Sequence, residues 1–190
     1  TLRCVKVFFT WAKTHSYLPR SEASAAELLS MVKTGDTAAE VFTPEQMQKL
    51  LLAAPNHLVA MLAIGGFAGL RAAEIARLDW SAVNLERRII TLRADQAKTA
   101  SRRIIPISDN LAAWLSLVPG KGKVLRNSKS FVEAFALARK VGLDWPRNVL
   151  RHSFISYRIA QVQDAGKAAL EAGNSPAIIF KHYRELVTQE

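Results

Sequence analysis

The longest apolar stretch, HLVAMLAIGGFAGL from His57 to Leu70, constrains the fold more than any other segment of this sequence. It is too short to cross a bilayer and contains three glycines. About half of the 190 residues are apolar (49%), which is enough to bury a real core. We therefore predict a buried helix over residues 57–67, which Ala68-Gly69-Leu70 ends.

The remaining patterns predict a mainly α-helical α+β fold with one small antiparallel sheet. Thr43 is a predicted N-cap, and Gln46 completes its capping box. RRIITLR (residues 87–93) and RRIIPIS (residues 102–108) alternate and are rich in isoleucine, so they predict a hairpin around a loop that carries Lys98. Further helices are predicted over residues 71–78, 110–118, 130–141, 146–161 and 164–172.

Composition divides the chain into three parts. Apolar residues recur at helical spacing over residues 2–16, so residues 1–19 are expected to hold one amphipathic helix whose partners lie in a mostly missing upstream domain. Residues 20–40 are rich in Ser, Ala, Glu and Thr and predict a linker with one short helix. Residues 41–190 form the predicted main domain. We expect the sequence to be a fragment of a longer chain.

The charge of the chain indicates an anionic partner. Lysine and arginine number 26 against 16 acidic residues, which gives a net charge of +10 and a pI of about 10.1. Such a balance favours nucleic acid or a membrane surface and does not choose between them. The single cysteine, Cys4, excludes an internal disulfide framework and fits a reducing compartment.

Two common kinds of site are missing from the sequence. The acidic residues are scattered, and no His/Cys cluster with metal-ligand spacing occurs. The four histidines lie on four separate predicted elements: His15, His57, His152 and His182. Neither Gly65-Gly66 nor the GKGK segment has the form of an ATP-binding loop. We therefore predict a metal-independent site without a cofactor.

Three cations stand at turns or inside apolar segments. Arg71 follows Gly69-Leu70 at a helix start, Lys98 lies on the hairpin loop, and Arg151 lies within an apolar helix. Each has an ordinary interpretation. Arg71 could pair with Glu74 one turn along, Lys98 could be solvated, and Arg151 could extend to the surface.

Taken together, these residues resemble the catalytic domain of the tyrosine recombinases, the phage-integrase family. The likeness covers roughly residues 41–185, and residues 8–19 resemble the end of that family's DNA-gripping N-terminal domain. A match to one sequence motif of the family, here called a box, is weak evidence. Four boxes in the family's order, each on a compatible predicted element, are strong evidence. The boxes are GLRAAEI (Gly69–Ile75), AKTASRRIIPI (Ala97–Ile107), LRHSF (Leu150–Phe154) and GNSPAIIFKHY (Gly173–Tyr183).

The resemblance implies a role for each matched residue. Arg71 and Arg151 would stabilise the charge that a phosphodiester gains during attack, with Glu74 as a supporting residue. Tyr183 would be the nucleophile and form a 3′-phosphotyrosyl link. Lys98 would give a proton to the departing 5′-oxygen. The resemblance also makes residues 1–19 the last helix of a core-binding domain and residues 41–190 the catalytic domain.

The sequence departs from the family pattern at two catalytic positions. Asn148 stands where the family usually has histidine, and Asn174 stands where it usually has histidine or tryptophan. An asparagine can hydrogen-bond a phosphate oxygen but cannot take up a proton. A catalytically weak or inactive DNA-binding relative is therefore one alternative function, and a type IB topoisomerase-like activity is another.

The expected partner is double-stranded DNA, bound largely through its phosphates. We expect a homo-oligomer on DNA, with a monomer in isolation as the alternative, and no membrane contact. A cytoplasmic, nucleoid-associated location in a bacterial or phage-encoded setting follows from the resemblance. The candidate DNA contacts are Arg87, Arg88, Arg102, Arg103, Lys121, Lys123, Arg126, Lys129 and Arg147.

Overall fold

The chain folds into two compact units, Thr1–Thr37 and Ala38–Glu190. The computed structural model describes residues 2–30, 39–93, 102–118, 120–127, 129–177 and 179. Within these ranges, no helix is both long enough and apolar enough to span a bilayer.

The first unit pairs a long helix with a short one. Helix α1 (Leu2–Thr14) packs against α2 (Ala25–Leu28), whose first turn is closed by a capping box between Ser24 and Glu27. Lys13 joins the two helices through an ion pair of 2.5 Å with Glu27. The amphipathic helix predicted for residues 2–16 therefore ends two residues early.

The second unit is mainly helical, as predicted. The Thr43 capping box forms, because the Thr43 hydroxyl accepts from the Gln46 N–H at 3.2 Å and the Gln46 side chain accepts from the Thr43 N–H at 2.9 Å. The helices are α3 (Pro44–Leu52), α4 (Asn56–Ala68), α5 (Ala72–Arg77), α6 (Asp109–Ser116), α7 (Ser130–Lys140), α8 (Val149–Val162) and α9 (Ala165–Ala172), with a 3₁₀ turn at Trp80–Ala82.

Helix α4 forms the centre of the core. Every residue from Leu58 to Gly66 is buried, which confirms the prediction made from the apolar run. Each fully buried leucine or isoleucine contributes roughly 1.5–3 kcal/mol relative to exposure. The helix ends at Gly69 in the left-handed conformation (φ 64°), where an added Cβ would lie 2.2 Å from the Phe154 ring. Only glycine meets both requirements, and the chain turns here toward Arg71.

A three-stranded antiparallel sheet covers one side of the core. The strands are β1 (Val83–Asn84), β2 (Ile89–Leu92) and β3 (Arg103–Pro106), in that order. The predicted hairpin is confirmed as β2 and β3. Strand β1 has two residues, which are too few to show an alternating pattern in the sequence. Ile105 is buried and the preceding Ile104 is 53% exposed, so strand alternation directs Arg103 inward, toward the same side as Ile105.

Helices α8 and α9 form a second, smaller core. Ile155 and Ile159 pack with the alanines of α9. Arg158 donates to both carboxylate oxygens of Glu171, from Nε at 2.6 Å and from Nη2 at 2.8 Å. Helix α8 begins at Val149 rather than at the predicted Pro146, because Asn148 adopts a left-handed backbone (φ 59°). The two helices together bring the end of α9 beside the start of α8.

Candidate active site

Arg71 is the N-cap residue of α5 and is bound to Glu74 in two ways. Its backbone N–H donates to Glu74 Oε2 at 2.8 Å, and its Nη1 donates to Glu74 Oε1 at 2.9 Å. Glu74 is 1% exposed. The pairing expected from the i,i+3 spacing is therefore present, and it fixes the Arg71 side chain at the end of the Gly69 turn.

Arg151 points into the protein rather than toward solvent. It is the third residue of α8 and is 7% exposed. Its Nη1 donates to the carbonyl of Gly69, and its Nη2 donates to the carbonyl of Ala172 at 2.6 Å. The interpretation of Arg151 as an arginine that extends to the surface is thus wrong: its guanidinium is held by main-chain oxygens.

Asn174 joins the two arginines. Its Oδ1 accepts from Arg71 Nη2 at 2.9 Å and from Arg151 Nη2 at 2.8 Å. Because a guanidinium has only donors, this network fixes the orientation of the amide. The oxygen faces the arginines, and the Asn174 NH₂ group is directed away from them. An incoming anion oxygen has to replace Oδ1 or bind along the other edges of the guanidiniums.

The C-terminal end of α9 supplies acceptors for these arginines. Gly173 ends the helix in the left-handed conformation (φ 64°), and its carbonyl accepts from Arg71 Nη2 at 2.6 Å. The last carbonyls of a helix carry the negative end of its dipole, which favours nearby cations. A Cβ at position 173 would lie 1.7 Å from Arg103 Nη1, so this turn requires glycine.

Arg103 completes the cluster, contrary to its expected position on a DNA-facing surface. Its side chain is 10% exposed. Its Nη2 donates to Glu74 Oε2 at 2.9 Å, and its Nη1 donates to the Ala172 carbonyl at 2.9 Å. The physical reason is strand alternation, which turns Arg103 inward while Arg102 remains exposed. Arg102 directly precedes β3, and the alternation predicted for RRIIPIS (residues 102–108) already placed the two arginines on opposite faces.

The cluster carries a net positive charge. Among the described residues, three guanidiniums face one carboxylate, so the formal sum is +3 − 1 = +2. Burial raises the pKa of Glu74, but the Arg71 N–H and the charges of Arg103 and Arg71 outweigh it, and the pKa lies below its ordinary value. Burial lowers the pKa of Arg103, as does the Arg71 charge, and Glu74 partly opposes this. The arrangement suits an anion.

The other residues of the predicted catalytic set are placed differently. Asn148 is exposed at the start of α8. Lys98, Tyr183 and the nearby His182 lie outside the described residues. The structure therefore brings together Arg71, Glu74, Arg151 and Asn174, and the catalytic roles of the whole predicted set stay predictions.

Apart from Arg103, the candidate DNA contacts are exposed. Lys121, Lys123 and Arg126 line a cavity of about 530 Å³ with His57, at the N-terminal end of α4. Gly69 lies at the other end of that helix, about 20 Å away at 1.5 Å per residue. These three are thus separate from the arginine cluster. The full exposed set is Arg87, Arg88, Arg102, Lys121, Lys123, Arg126, Lys129 and Arg147.

Among the residues that the structure describes, acidic, cysteine and histidine side chains do not gather around the cluster in numbers that suit a metal. Within the described ranges, no group of three or more such residues is close enough to hold an ion. Glu74 is the carboxylate that contacts the arginines, and both of its oxygens accept from them.

A sequence model of the phage integrase family matches residues 40–162. The chain belongs to the phage integrase family. The matched region runs from the start of α3 to the end of α8 and contains Arg71, Glu74, Arg103 and Arg151. The resemblance to this family is thereby confirmed. The matched residues include the first three sequence boxes, and the fourth, Gly173–Tyr183, lies beyond them. No match was found among the curated proteins.

Solved structures of recombinases and integrases share the fold of this phage integrase family chain. XerA recombinase is 18% identical, with a TM-score of 0.64 over 81% of this chain and 62% of XerA. The catalytic domain of bacteriophage HP1 integrase is 19% identical, with a TM-score of 0.61 over 77% and 88%. The Tn1549 transposon integrase, in complex with a circular intermediate DNA, is 16% identical, with a TM-score of 0.63 over 96% and 73%.

These structural similarities confirm the fold class predicted for this chain, a mainly helical domain with a small antiparallel sheet. The chain spans less than two thirds of XerA. At identities below 20%, the comparison concerns the fold and leaves the chemistry to be argued from the residues.

Proposed function

We propose that this chain is a site-specific DNA recombinase or integrase that cuts and rejoins strands through Tyr183. One observation carries the proposal: Arg71 and Arg151, from different helices, meet on the amide oxygen of Asn174. Two fixed guanidiniums at one point suit the two non-bridging oxygens of a phosphodiester. Membership of the phage integrase family supports the same reaction.

In the proposed reaction, the Tyr183 oxygen attacks phosphorus as the bond to the 5′-oxygen breaks. The phenolic proton passes to solvent water during attack, and Lys98 gives a proton to the departing 5′-oxygen, so the expelled strand leaves as a hydroxyl. Arg71 and Arg151 stabilise the charge gathered on the phosphate oxygens. Attack by a 5′-hydroxyl on the 3′-phosphotyrosyl link then rejoins a strand and restores Tyr183.

Asn174 is suited to bind phosphate in this scheme. Its oxygen is engaged by the two arginines, so its NH₂ group is the part of the side chain that can donate to a phosphate bound along the other edges of the guanidiniums. A histidine at this position would also donate an N–H. The substitution therefore preserves a hydrogen-bond donor but removes a group that can carry a proton.

A second candidate is a DNA-binding relative with weak or no cleavage. Asn148 favours it, because an amide cannot serve as a general base where the family usually has histidine. A type IB topoisomerase-like activity would use the same arginines, lysine and tyrosine. It differs in cutting one strand without exchange between partner duplexes.

Double-stranded DNA is the proposed partner in each case. The Tn1549 integrase was solved in complex with DNA, and the family relationship supports the same partner here. Eight exposed cations from the candidate set are suited to bind phosphates, so affinity should fall steeply with salt. Assembly as a homo-oligomer on DNA belongs to the proposal.

The test is covalent trapping. Duplexes selected from a random library by binding are nicked at successive positions, so that the strand freed by cleavage diffuses away. Wild-type protein should form a covalent protein–DNA adduct, and Tyr183→Phe should form none while binding the same DNA. Binding without an adduct at every nick position would favour the non-catalytic relative, and strand exchange between two duplexes would exclude the topoisomerase-like alternative.

A further inference from the structure

Arg103 is a largely buried arginine that the predicted catalytic set does not include. Its Nη2 and Nη1 bind Glu74 and the Ala172 carbonyl, and its Nε is buried without a hydrogen-bond partner among the described residues. Burying a guanidinium costs free energy, and an apolar residue is often as stabilising as a buried ion pair. Stability alone therefore gives little reason for an arginine at this position.

The two acceptors of Arg103 are also acceptors of the proposed phosphate-binding arginines. Glu74 Oε2 accepts from the Arg71 backbone N–H at 2.8 Å and from Arg103 Nη2 at 2.9 Å. The Ala172 carbonyl accepts from Arg151 Nη2 at 2.6 Å and from Arg103 Nη1 at 2.9 Å. Arg103 is thus linked to Arg71 through Glu74 and to Arg151 through the Ala172 carbonyl.

We propose that Arg103 is a positioning residue that orients Arg71 and Arg151 for phosphate. This inference rests on the proposed function. Arg103 balances part of the Glu74 charge and holds the carbonyl that anchors Arg151. At 10% exposure its side chain is directed into the cluster, so it acts through the other two arginines rather than on DNA.

Removal of Arg103 has an electrostatic consequence at Arg71. The formal charge of the cluster falls from +2 to +1, and Glu74 loses one of its two cationic partners. Glu74 then attracts Arg71 more strongly, which draws its guanidinium away from an incoming phosphate. Loss of Arg103 should therefore slow the cleavage step and change DNA affinity little.

The experiment compares Arg103→Met, Arg103→Lys, Glu74→Gln and the double variant Arg103→Met/Glu74→Gln with wild type. The matched control is Arg158→Met, which removes another partly buried arginine–glutamate pair that holds α9. The readouts are the single-turnover rate of adduct formation at saturating suicide DNA, the Kd for that DNA and the Tm.

Arg103→Met should lower the rate tenfold or more, with Kd changed less than threefold. The rate of Arg103→Lys should lie between those of wild type and Arg103→Met. The lysine ammonium keeps the positive charge but lacks the planar guanidinium that binds two acceptors at once. The double variant should lose less than the product of the two single losses, because Glu74→Gln removes the unbalanced carboxylate. Arg158→Met should keep the rate within threefold for a comparable loss of Tm. If Arg103→Met does not fold, Arg103→Lys carries the comparison.

Equal rate losses in Arg103→Met and Arg158→Met, or a loss that lies in Kd, would overturn the proposal. A separate readout applies if wild-type protein forms no adduct, in which case the proposed function fails by itself. The Nε–Hε NMR signals of Arg71 and Arg151 in DNA-free protein should shift in Arg103→Met and stay in place in Arg158→Met. Unshifted signals in Arg103→Met would overturn the positioning role whatever the activity.

Discussion

Arg71 and Arg151 donate to the same atom, the amide oxygen of Asn174, at 2.9 and 2.8 Å. The two guanidiniums carry like charge, and their approach is stabilised by that shared acceptor and by the carbonyls of Gly173 and Ala172. Position 174 therefore controls both the separation of the arginines and the charge between them, and these two effects can be measured apart.

Asn174→Asp should separate stability from catalysis. A carboxylate between two guanidiniums makes stronger, charge-assisted hydrogen bonds, so thermal stability should equal or exceed that of Asn174→Ala. The formal charge of the cluster falls to +1, and the carboxylate competes with phosphate. We expect cleavage to fall about tenfold further than in Asn174→Ala, equivalent to roughly 1.4 kcal/mol of phosphate stabilisation.

The measurement is the single-turnover adduct rate together with a thermal melt for both variants. Asn174→Gln is the control for side-chain length, because it keeps the amide group on a longer side chain. An aspartate variant that cleaves faster than the alanine variant would show that the amide oxygen does not face the phosphate-binding edge.

Gly173→Ala should destabilise the protein more than Gly142→Ala, which replaces another glycine with a positive φ. Both Gly173 and Gly142 have positive φ, at 64° and 74°, but a Cβ at 142 meets nothing within 4 Å, whereas one at 173 meets Arg103. We expect about 1 kcal/mol for Gly142→Ala and at least about 2 kcal/mol for Gly173→Ala. Urea unfolding at neutral pH measures both, and equal losses would mean that Arg103 moves aside freely.

Glu74→Gln should flatten the acid side of the stability curve. The pKa of Glu74 lies below its ordinary value in the folded protein, so its charged form is favoured by folding. That contribution is complete above the unfolded pKa of about 4.3 and is lost as the pH falls through the lower folded pKa. Glutamine has no such dependence.

Urea unfolding between pH 7 and pH 3 tests this. The free energy of unfolding of the wild type should fall more steeply below about pH 4.3 than that of Glu74→Gln. Glu133→Gln serves as a control, because Glu133 pairs with His57 away from the cluster. Parallel curves for wild type and Glu74→Gln would contradict the assignment of the charge.

Asn148→His should raise the cleavage rate if a missing proton acceptor limits the reaction. Asn148 has a left-handed backbone (φ 59°), a region in which asparagine and histidine are both enriched, so the exchange should cost little stability. General-base help contributes typically 10²–10⁴-fold, and a gain of about tenfold would be a clear response. The adduct rate as a function of pH measures it, and an unchanged rate would exclude this cause of slow cleavage.

Much of this fold could be predicted because its signals are local. The apolar run gave α4, isoleucine alternation gave β2 and β3, and the Thr43 box gave the start of α3. Pro146 suggested a helix start that the left-handed Asn148 moves to Val149. Local patterns report where a helix can begin, and the backbone path decides where it does.

The arginine cluster was only half predictable. Sequence boxes pointed to Arg71 and Arg151 because their spacing from glycine, histidine and glutamate is distinctive. Arg102 and Arg103 are the same residue type side by side, and only the direction of each side chain separates the exposed Arg102 from the largely buried Arg103. The Ala172 carbonyl left no sequence signal at all, because every residue carries one.

Three of the atoms that hold the arginines are main-chain carbonyls, those of Gly69, Ala172 and Gly173. No codon change can delete a carbonyl oxygen, so evolution can alter this part of the site only by bending the chain. The feature that must be inherited is the backbone path of two turns, rather than a particular sequence motif. Drift at neighbouring positions can then be extensive while the spatial pattern of acceptors persists.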